Sequence, residues 1–268
     1  MSLPRPNPNA HVVVTGASSG IGTELARGFA ARGHNVVLVA RRRDRMEVLA
    51  TELRDAHGVD VEVRECDLGD PIDRAALASD LRAGERTVAG LCNCAGFGTA
   101  GTFHQLPLGR ELAEVELNAA AIVELTHAVL PAMVSAGSGA VMNVASIAGY
   151  QPIPGMAVYA ATKAFVQTFS ESVHEELRGT GVSCTVVCPG PVPTEWAEIA
   201  GAQAVMIGPT QVSAVDVAAA AIAGVEHGRR SVVPGLVPKI MGLGGRFTPR
   251  SVLLPVLSAG RKLRGNGN

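Results

Sequence analysis

The sequence predicts a single α/β domain: a parallel sheet of about seven strands, doubly wound with helices on both faces. Three observations carry that expectation. Strand-like apolar runs alternate along the chain with helical segments of roughly 10–15 residues. Hydrophobic residues make up 47% of the 268 positions but aromatic residues only 3%. The core must therefore be built from Ala, Val, Leu and Ile, which suits a sheet buried on both faces. A glycine-rich turn, Thr15-Gly-Ala-Ser-Ser-Gly-Ile-Gly22, joins the first strand to the first helix. No linker-like stretch divides the chain, so one domain is expected rather than two.

The elements follow in order. His11 to Thr15 reads as the first strand, with a helix from about Gly20 to Arg32. Asn35 to Ala40 is an unbroken apolar strand, followed by a charged amphipathic helix from about Asp44 to His57. Val59 to Cys66 alternates and forms strand three; a helix starts at Pro71, and Val88 to Cys94 forms strand four. Two helices are expected around Leu108 to Ser135, before the buried strand Gly139 to Ala145. The helix carrying Tyr159 runs to about Arg178, and Val182 to Cys188 is the sixth strand. A helix near Ser213 to Glu226 precedes a short strand, Ser231 to Val233.

The chemistry concentrates in Tyr159-Ala-Ala-Thr-Lys163. Residues at i and i+4 share one helical face, so the phenol and the ammonium can meet one reactant. The chain holds only three lysines, Lys163, Lys239 and Lys262, so a lysine here is unlike incidental surface charge. Ser146 closes the fifth strand, thirteen residues before Tyr159. Taken singly, Ser146 could be a helix cap, Asn118 a surface amide and Lys163 a solvated charge. Together with the glycine turn they point to reversible hydride transfer to a carbonyl. In that turn Gly16, Gly20 and Gly22 permit close approach to a pyrophosphate lying on a helix N-terminus. The same residues also spell a G-x-S-x-G nucleophile elbow at Ser18. Such an elbow usually follows several strands, whereas only fifteen residues precede Gly16.

On these motifs, from about Val12 to Pro234, the chain resembles the core form of the short-chain dehydrogenase/reductase family. The resemblance implies a Rossmann domain over residues 1–234, binding NADP and carrying the catalytic groups. Residues 235–268 would be a basic and apolar extension of the same domain. It implies Tyr159 as proton donor in reduction, Lys163 lowering the phenol's pKa and holding the nicotinamide ribose, Ser146 orienting the carbonyl, and Asn118 holding a water for a proton relay. The cofactor would lie on Gly16, Ser18, Ser19, Gly20, Ile21 and Gly22, with Asp67 and Leu68 at the adenine. Asn93, Ala95 and Gly96, from Asn93-Cys94-Ala95-Gly96, would stabilise the sheet and line the cofactor floor. Pro189, Gly190, Val192 and Thr194 would hold the nicotinamide. Arg41 and Arg42 end strand two, where arginine suits the 2′-phosphate of NADP and an acid would suit NAD. Relatives often carry a second basic residue in the turn, where this chain has Ser18 and Ser19.

Apolar segments at Ile147 to Met156 and Glu195 to Pro209 predict a hydrophobic small-molecule carbonyl substrate. Its contacts would be Ser146, Tyr150, Ile153 and Trp196, with Val205, Met206 and Ile207 nearby. The phrases around Tyr159 and Pro189 resemble bacterial ketoacyl and long-chain lipid reductases. An inactive NADP-sensing or scaffold protein of the same fold is the alternative, and retention of Ser146, Tyr159 and Lys163 argues against it.

Other functions find less support. Net charge is −1, yet the segment from His227 onward has eight basic residues and no acid, leaving 15 basic and 24 acidic residues before it. That distribution is no nucleic-acid face. The five cysteines lie in apolar runs and read as buried reduced thiols; Cys92 and Cys94 lack the histidines of a zinc site, and no metal is expected. A proline-rich start without an apolar h-region, and no run of 18 apolar residues, make the cytoplasm the expected compartment; a homodimer or homotetramer is expected. The tail from Leu236 is expected to be a lid or subunit interface in preference to a peripheral membrane contact, with Pro249 and Pro255 interrupting any long helix.

Overall fold

The structure is a computed structural model and describes residues 3–83, 87–202 and 211–265. The strands are β1 (Ala10–Thr15), β2 (Asn35–Ala40), β3 (Val61–Glu65), β4 (Thr87–Asn93), β5 (Gly139–Val144), β6 (Val182–Val187) and β7 (Ser231–Val232). They form one parallel sheet in the order β3-β2-β1-β4-β5-β6-β7. Consecutive strands run outward from β1 to β3; the chain then crosses back and runs outward again from β4 to β7. The strand order therefore reverses between β1 and β4, and open α/β sheets bind ligands at that crevice.

The strand residues alternate between two cores. Val12 and Val14 of β1, with Val36 and Leu38 of β2, pack with Leu25 and Phe29 of α1 (Gly20–Ala30), Leu49 and Leu53 of α2 (Arg43–His57) and Ile222 of α8 (Ala214–Glu226). Val13, Val37, Val39, Leu91 and Val141 face the other way, onto α3 (Pro71–Ala83) and α5 (Ala121–Ala136). Leu38 and Leu91 are fully buried on opposite faces, and each contributes roughly 1.5–3 kcal/mol by leaving water. Buried strands on both faces explain why the sequence shows apolar runs there and little alternation.

Three local features differ from expectation. The two helices expected around Leu108 to Ser135 are one continuous run, α4 (Leu108–Val115) and α5, joined by a π-turn at Glu116–Ala120. A short helix, α7 (Trp196–Ala200), follows the sixth strand. Pro255 does not break the tail, which forms α9 (Leu236–Phe247) and α10 (Arg250–Gly265) with Pro255 inside α10. It lies in the second turn of that helix, where it forfeits a single backbone hydrogen bond. The break falls at Pro249, as its fixed backbone requires. Helix α6 (Ala157–Glu176) lies against β6 and presents Tyr159 and Lys163 to the crevice.

Candidate active site

A cavity of about 1150 Å³ occupies the crevice at the carboxyl ends of β1, β4 and β5. The glycine turn, Arg41, Arg42, Asp67 and Leu68 line one end; Ser146, Ile153, Tyr159 and Trp196 line the other. Between them lie Ala95, Gly96, Lys163, Pro189, Gly190, Val192 and Thr194. The turn is a cradle that side chains would fill: a Cβ on Gly22 would stand 2.2 Å from the Gly16 carbonyl oxygen. Only glycine permits that approach, so the turn fits a dinucleotide pyrophosphate.

Arg41 is largely exposed and lies 3.8 Å from Asp67. Arg42 Nε donates to Ser18 Oγ at 3.2 Å, and its Nη1 donates to Glu195 at 2.7 Å. Arg45 donates to the other Glu195 oxygen at 2.6 Å. These contacts pull Glu195 below the usual carboxylate range. Two guanidinium groups and the Ser18 hydroxyl thus cluster at one end of the cavity, a donor set that fits a 2′-phosphate. The contact also removes the serine-hydrolase reading, because Ser18 Oγ is held by a guanidinium, which cannot serve as a general base.

At the other end Tyr159 packs against Trp196 with ring centroids 5.0 Å apart. Lys163 Nζ donates to the Val144 carbonyl at 2.9 Å and stands 5.8 Å from the Tyr159 ring centre. The expected depression of the phenol's pKa is not what this structure gives. Burial pushes Tyr159 up to about 12, with the Ser146 hydrogen bond pulling the other way and the Glu114 carboxylate raising it further. Burial likewise lowers Lys163 to about 8, so it keeps its charge at pH 7. Desolvation outweighs the charge pairing that spacing alone suggests. Tyr159 is thereby held as a proton donor. Ser146 Oγ accepts from the Ala148 amide at 3.1 Å, so it caps a turn as well as facing the cavity.

Two expected site residues, Asn93 and Tyr150, stand outside the cavity lining, and a third, Asn118, lies behind its floor. Asn93 is buried below the floor, donating to Asn143 at 2.8 Å and Thr126 at 3.2 Å; it supports the sheet. Tyr150 packs on Gly242 of α9 with its hydroxyl near Ser231 and Cys188, outside the cavity lining. It anchors the tail instead of forming substrate wall. Asn118, in the π-turn, is fully buried and grips Phe97 from both sides: Oδ1 accepts from Phe97 N at 3.1 Å, and Nδ2 donates to Phe97 O at 2.8 Å. A Cβ on Gly96 would meet Asn118 Oδ1 at 2.8 Å and Lys163 Nζ at 3.4 Å, so the glycine keeps those two groups open to each other. Val205, Met206 and Ile207 lie outside the described residues.

Other contributors have no individual role that the sequence alone assigns. Thr15 Oγ1 accepts from the amides of Cys94 at 2.9 Å and Ala95 at 3.0 Å, and donates to the Cys92 carbonyl. Cys94, Phe97, Arg110, Met241, Val256 and Leu257 line the cavity. Thr99 Oγ1 lies 2.6 Å from Glu111 Oε1 and 2.8 Å from Glu114 Oε2, with both carboxyls buried. A hydroxyl has one proton to donate, so one carboxyl must donate its own to Thr99. Glu114 is that acid: burial pushes it up to about 7, and its other oxygen has no partner. Helical spacing of i and i+3 was the only sequence trace of this pair.

The Glu114 proton makes a stability prediction. Its folded pKa is raised, so the cost of burying the carboxyl is absent below the unfolded value near 4.5 and grows as pH rises to about 7. Glu114→Gln keeps the shape without the titration. Between pH 5 and pH 8 the variant should gain roughly 3 kcal/mol on the native protein in urea unfolding. An unchanged difference across that range would show that Glu114 is already ionised.

The model of the short chain dehydrogenase family matches residues 10–204. Sulfoacetaldehyde reductase from Chromohalobacter salexigens is 38% identical over 218 residues, covering 77% of this chain and 84% of that protein. Very-long-chain 3-oxoacyl-CoA reductase from Anas platyrhynchos is 32% identical over 200 residues, covering 72% of this chain and 63% of that protein. The solved structure of a short-chain dehydrogenase from Sphingobium yanoikuyae in complex with NADPH superposes with a TM-score of 0.80 at 34% identity, covering 97% of this chain and 96% of that one. A family match over most of the chain, joined to this fold and these neighbours, makes the protein a member of the short-chain dehydrogenase/reductase family, an NADP-dependent oxidoreductase acting on CH–OH and C=O groups.

Proposed function

We propose that the protein reduces the carbonyl of a hydrophobic substrate, in the manner of a ketoacyl reductase. The observation that carries this reading is the wall of the cavity beyond Tyr159. Ile147, Ile153, Met156, Trp196 and Ile199 line it, and Met241, Val256 and Leu257 reach in from the tail. A cavity of about 1150 Å³ has room for a dinucleotide end and an acyl chain together. The tail is then a lid over the substrate.

NADPH, when bound, supplies the hydride. The protein's part is to place the carbonyl and deliver the proton. Ser146 donates to the carbonyl oxygen and aligns it; Tyr159 gives its hydroxyl proton to the alkoxide as charge develops there. Lys163, charged at neutral pH, stabilises the phenolate that remains. Asn118 and Lys163, facing each other across Gly96, would return a proton to Tyr159 through a water. Cytoplasmic action as a homodimer or homotetramer belongs to the same proposal. Free thiols at all five cysteines suit a reducing compartment, and exposed Leu112, Val115 and Phe165 offer a second copy apolar surface.

One observation favours a second reading of the substrate. Arg110 lines the cavity and stands over the Phe97 ring, 5.3 Å from its centre. A guanidinium there would suit a carbonyl compound with an anionic end, such as the substrate named for the sulfoacetaldehyde reductase relative. Arg110→Ala separates the two: it should leave neutral ketones unaffected and raise KM only for anionic ones.

Ketones of increasing chain length, with NADPH consumption followed optically, test the main reading. KM should fall with chain length, and Met241→Ala with Leu257→Ala should raise it for long ketones more than for short ones. Equal KM across the series would sink the hydrophobic assignment. Tyr159→Phe should abolish turnover while NADPH still binds, whereas Lys163→Ala should damage both; substantial turnover in Tyr159→Phe would end the proposed mechanism. Arg41→Ala should cost NADPH about ten- to hundredfold in affinity and leave NADH unchanged, because only the 2′-phosphate forms the charge-assisted bond. Titration of both nucleotides by cofactor fluorescence checks it.

A further inference from the structure

The tail helix α9 is amphipathic in the inverted sense. Pro238, Gly242 and Gly245 recur at i, i+4 and i+7 and are buried. That small-residue side rests on Tyr150 and Gln151, close enough that a Cβ on Gly242 would meet the tyrosine ring at 3.1 Å. Leu236, Ile240, Leu243 and Phe247 recur at i, i+4, i+7 and i+11, on the opposite side of the helix. They face outward: Leu236 is 73% exposed, Ile240 61% and Phe247 76%. Val252 and Val256 of α10 extend the apolar surface at 55% and 63% exposed. Single exposed apolar residues need no explanation, but a contiguous stripe marks an interaction site.

Charge identifies what covers it. Lys239 and Arg246 run alongside the stripe, and Arg250 follows at the turn between the helices; all three are exposed. From His227 to the end of the sequence there are eight basic residues and no acid. A second copy docked symmetrically would set one basic rim against another with no acid in either tail to offset it. An anionic lipid surface offers apolar depth for the leucine, isoleucine and phenylalanine side chains and negative charge for the rim. We infer that α9 and α10 form a peripheral docking surface for an anionic bilayer. The cavity opens beside this surface: Val256 belongs to both, and Met241 and Leu257 of the same two helices line the cavity. Docking would therefore turn the substrate entrance toward lipid. The docking itself stands whichever ketone is reduced.

Sedimentation of the full-length protein with vesicles tests this without substrate. The protein should pellet with vesicles of phosphatidylcholine mixed with phosphatidylglycerol, stay in solution with phosphatidylcholine alone, and be released by salt. Ile240→Asp with Phe247→Asp should abolish pelleting, while NADPH affinity and short-ketone turnover stay level. Replacing Lys239, Arg246 and Arg250 by alanine should weaken binding by about a hundredfold. Failure of the native protein to pellet with the anionic vesicles would overturn the inference. A fall in solution mass on Ile240→Asp with Phe247→Asp would do so as well, because it would show a second copy covering the stripe.

Discussion

The close approach of β1 and β4 governs the rest of the molecule. The strand order reverses there, and one hydroxyl fastens the two strand ends. Thr15 Oγ1 takes the Cys94 and Ala95 amides and returns its proton to the Cys92 carbonyl. Those amides lie at the half-buried end of β4, and the Thr15 hydroxyl gives both a fixed partner. With the strands pinned, the glycine turn after β1 and the Ala95-Gly96 floor after β4 meet on one side of the crevice. Cofactor site and reacting site are thus held by the same contact.

Around that contact the site works by desolvation more than by charge pairing. Burial raises Tyr159 to about 12 and lowers Lys163 to about 8, so two groups with nearly equal ordinary values are driven apart, each toward its neutral form. A phenol so placed keeps its proton until an alkoxide forms beside it, which favours the reductive role. The Glu111–Thr99–Glu114 cluster sits behind the same floor, and its proton keeps a second negative charge away from the phenol.

Much of this was legible in the sequence because the physics is local. A buried strand needs an apolar run, a pyrophosphate turn needs glycines, and a shared helix face needs the i and i+4 spacing of Tyr159 and Lys163. Residues that act across the fold were not legible. Thr15 reads as an ordinary strand end until β4 is placed beside it, and Cys94 until the floor is built. Tyr150 looks like substrate wall because the sequence cannot show α9 arriving on its far side. The direction of the Tyr159 shift was missed for a related reason: spacing reports the partner, whereas burial depends on every element packed around the ring. Pro255 illustrates position within an element, since a proline near a helix start costs one bond and need not end the helix.

The π-turn at Glu116–Ala120 has a mutational consequence. It adds a residue to a helix that otherwise runs from Leu108 to Ala136. Deleting one residue there would restore regular hydrogen bonding, a local gain. It would also rotate everything N-terminal to it by about 100° about the helix axis. Glu111 and Glu114 would swing off Thr99, and Asn118 would lose its grip on Phe97. The irregularity therefore works as a phase setting: it lets one helix serve the α5 core and the catalytic floor, whose angular demands differ. Insertions and deletions should be far less tolerated in those five residues than in the surface turns on either side.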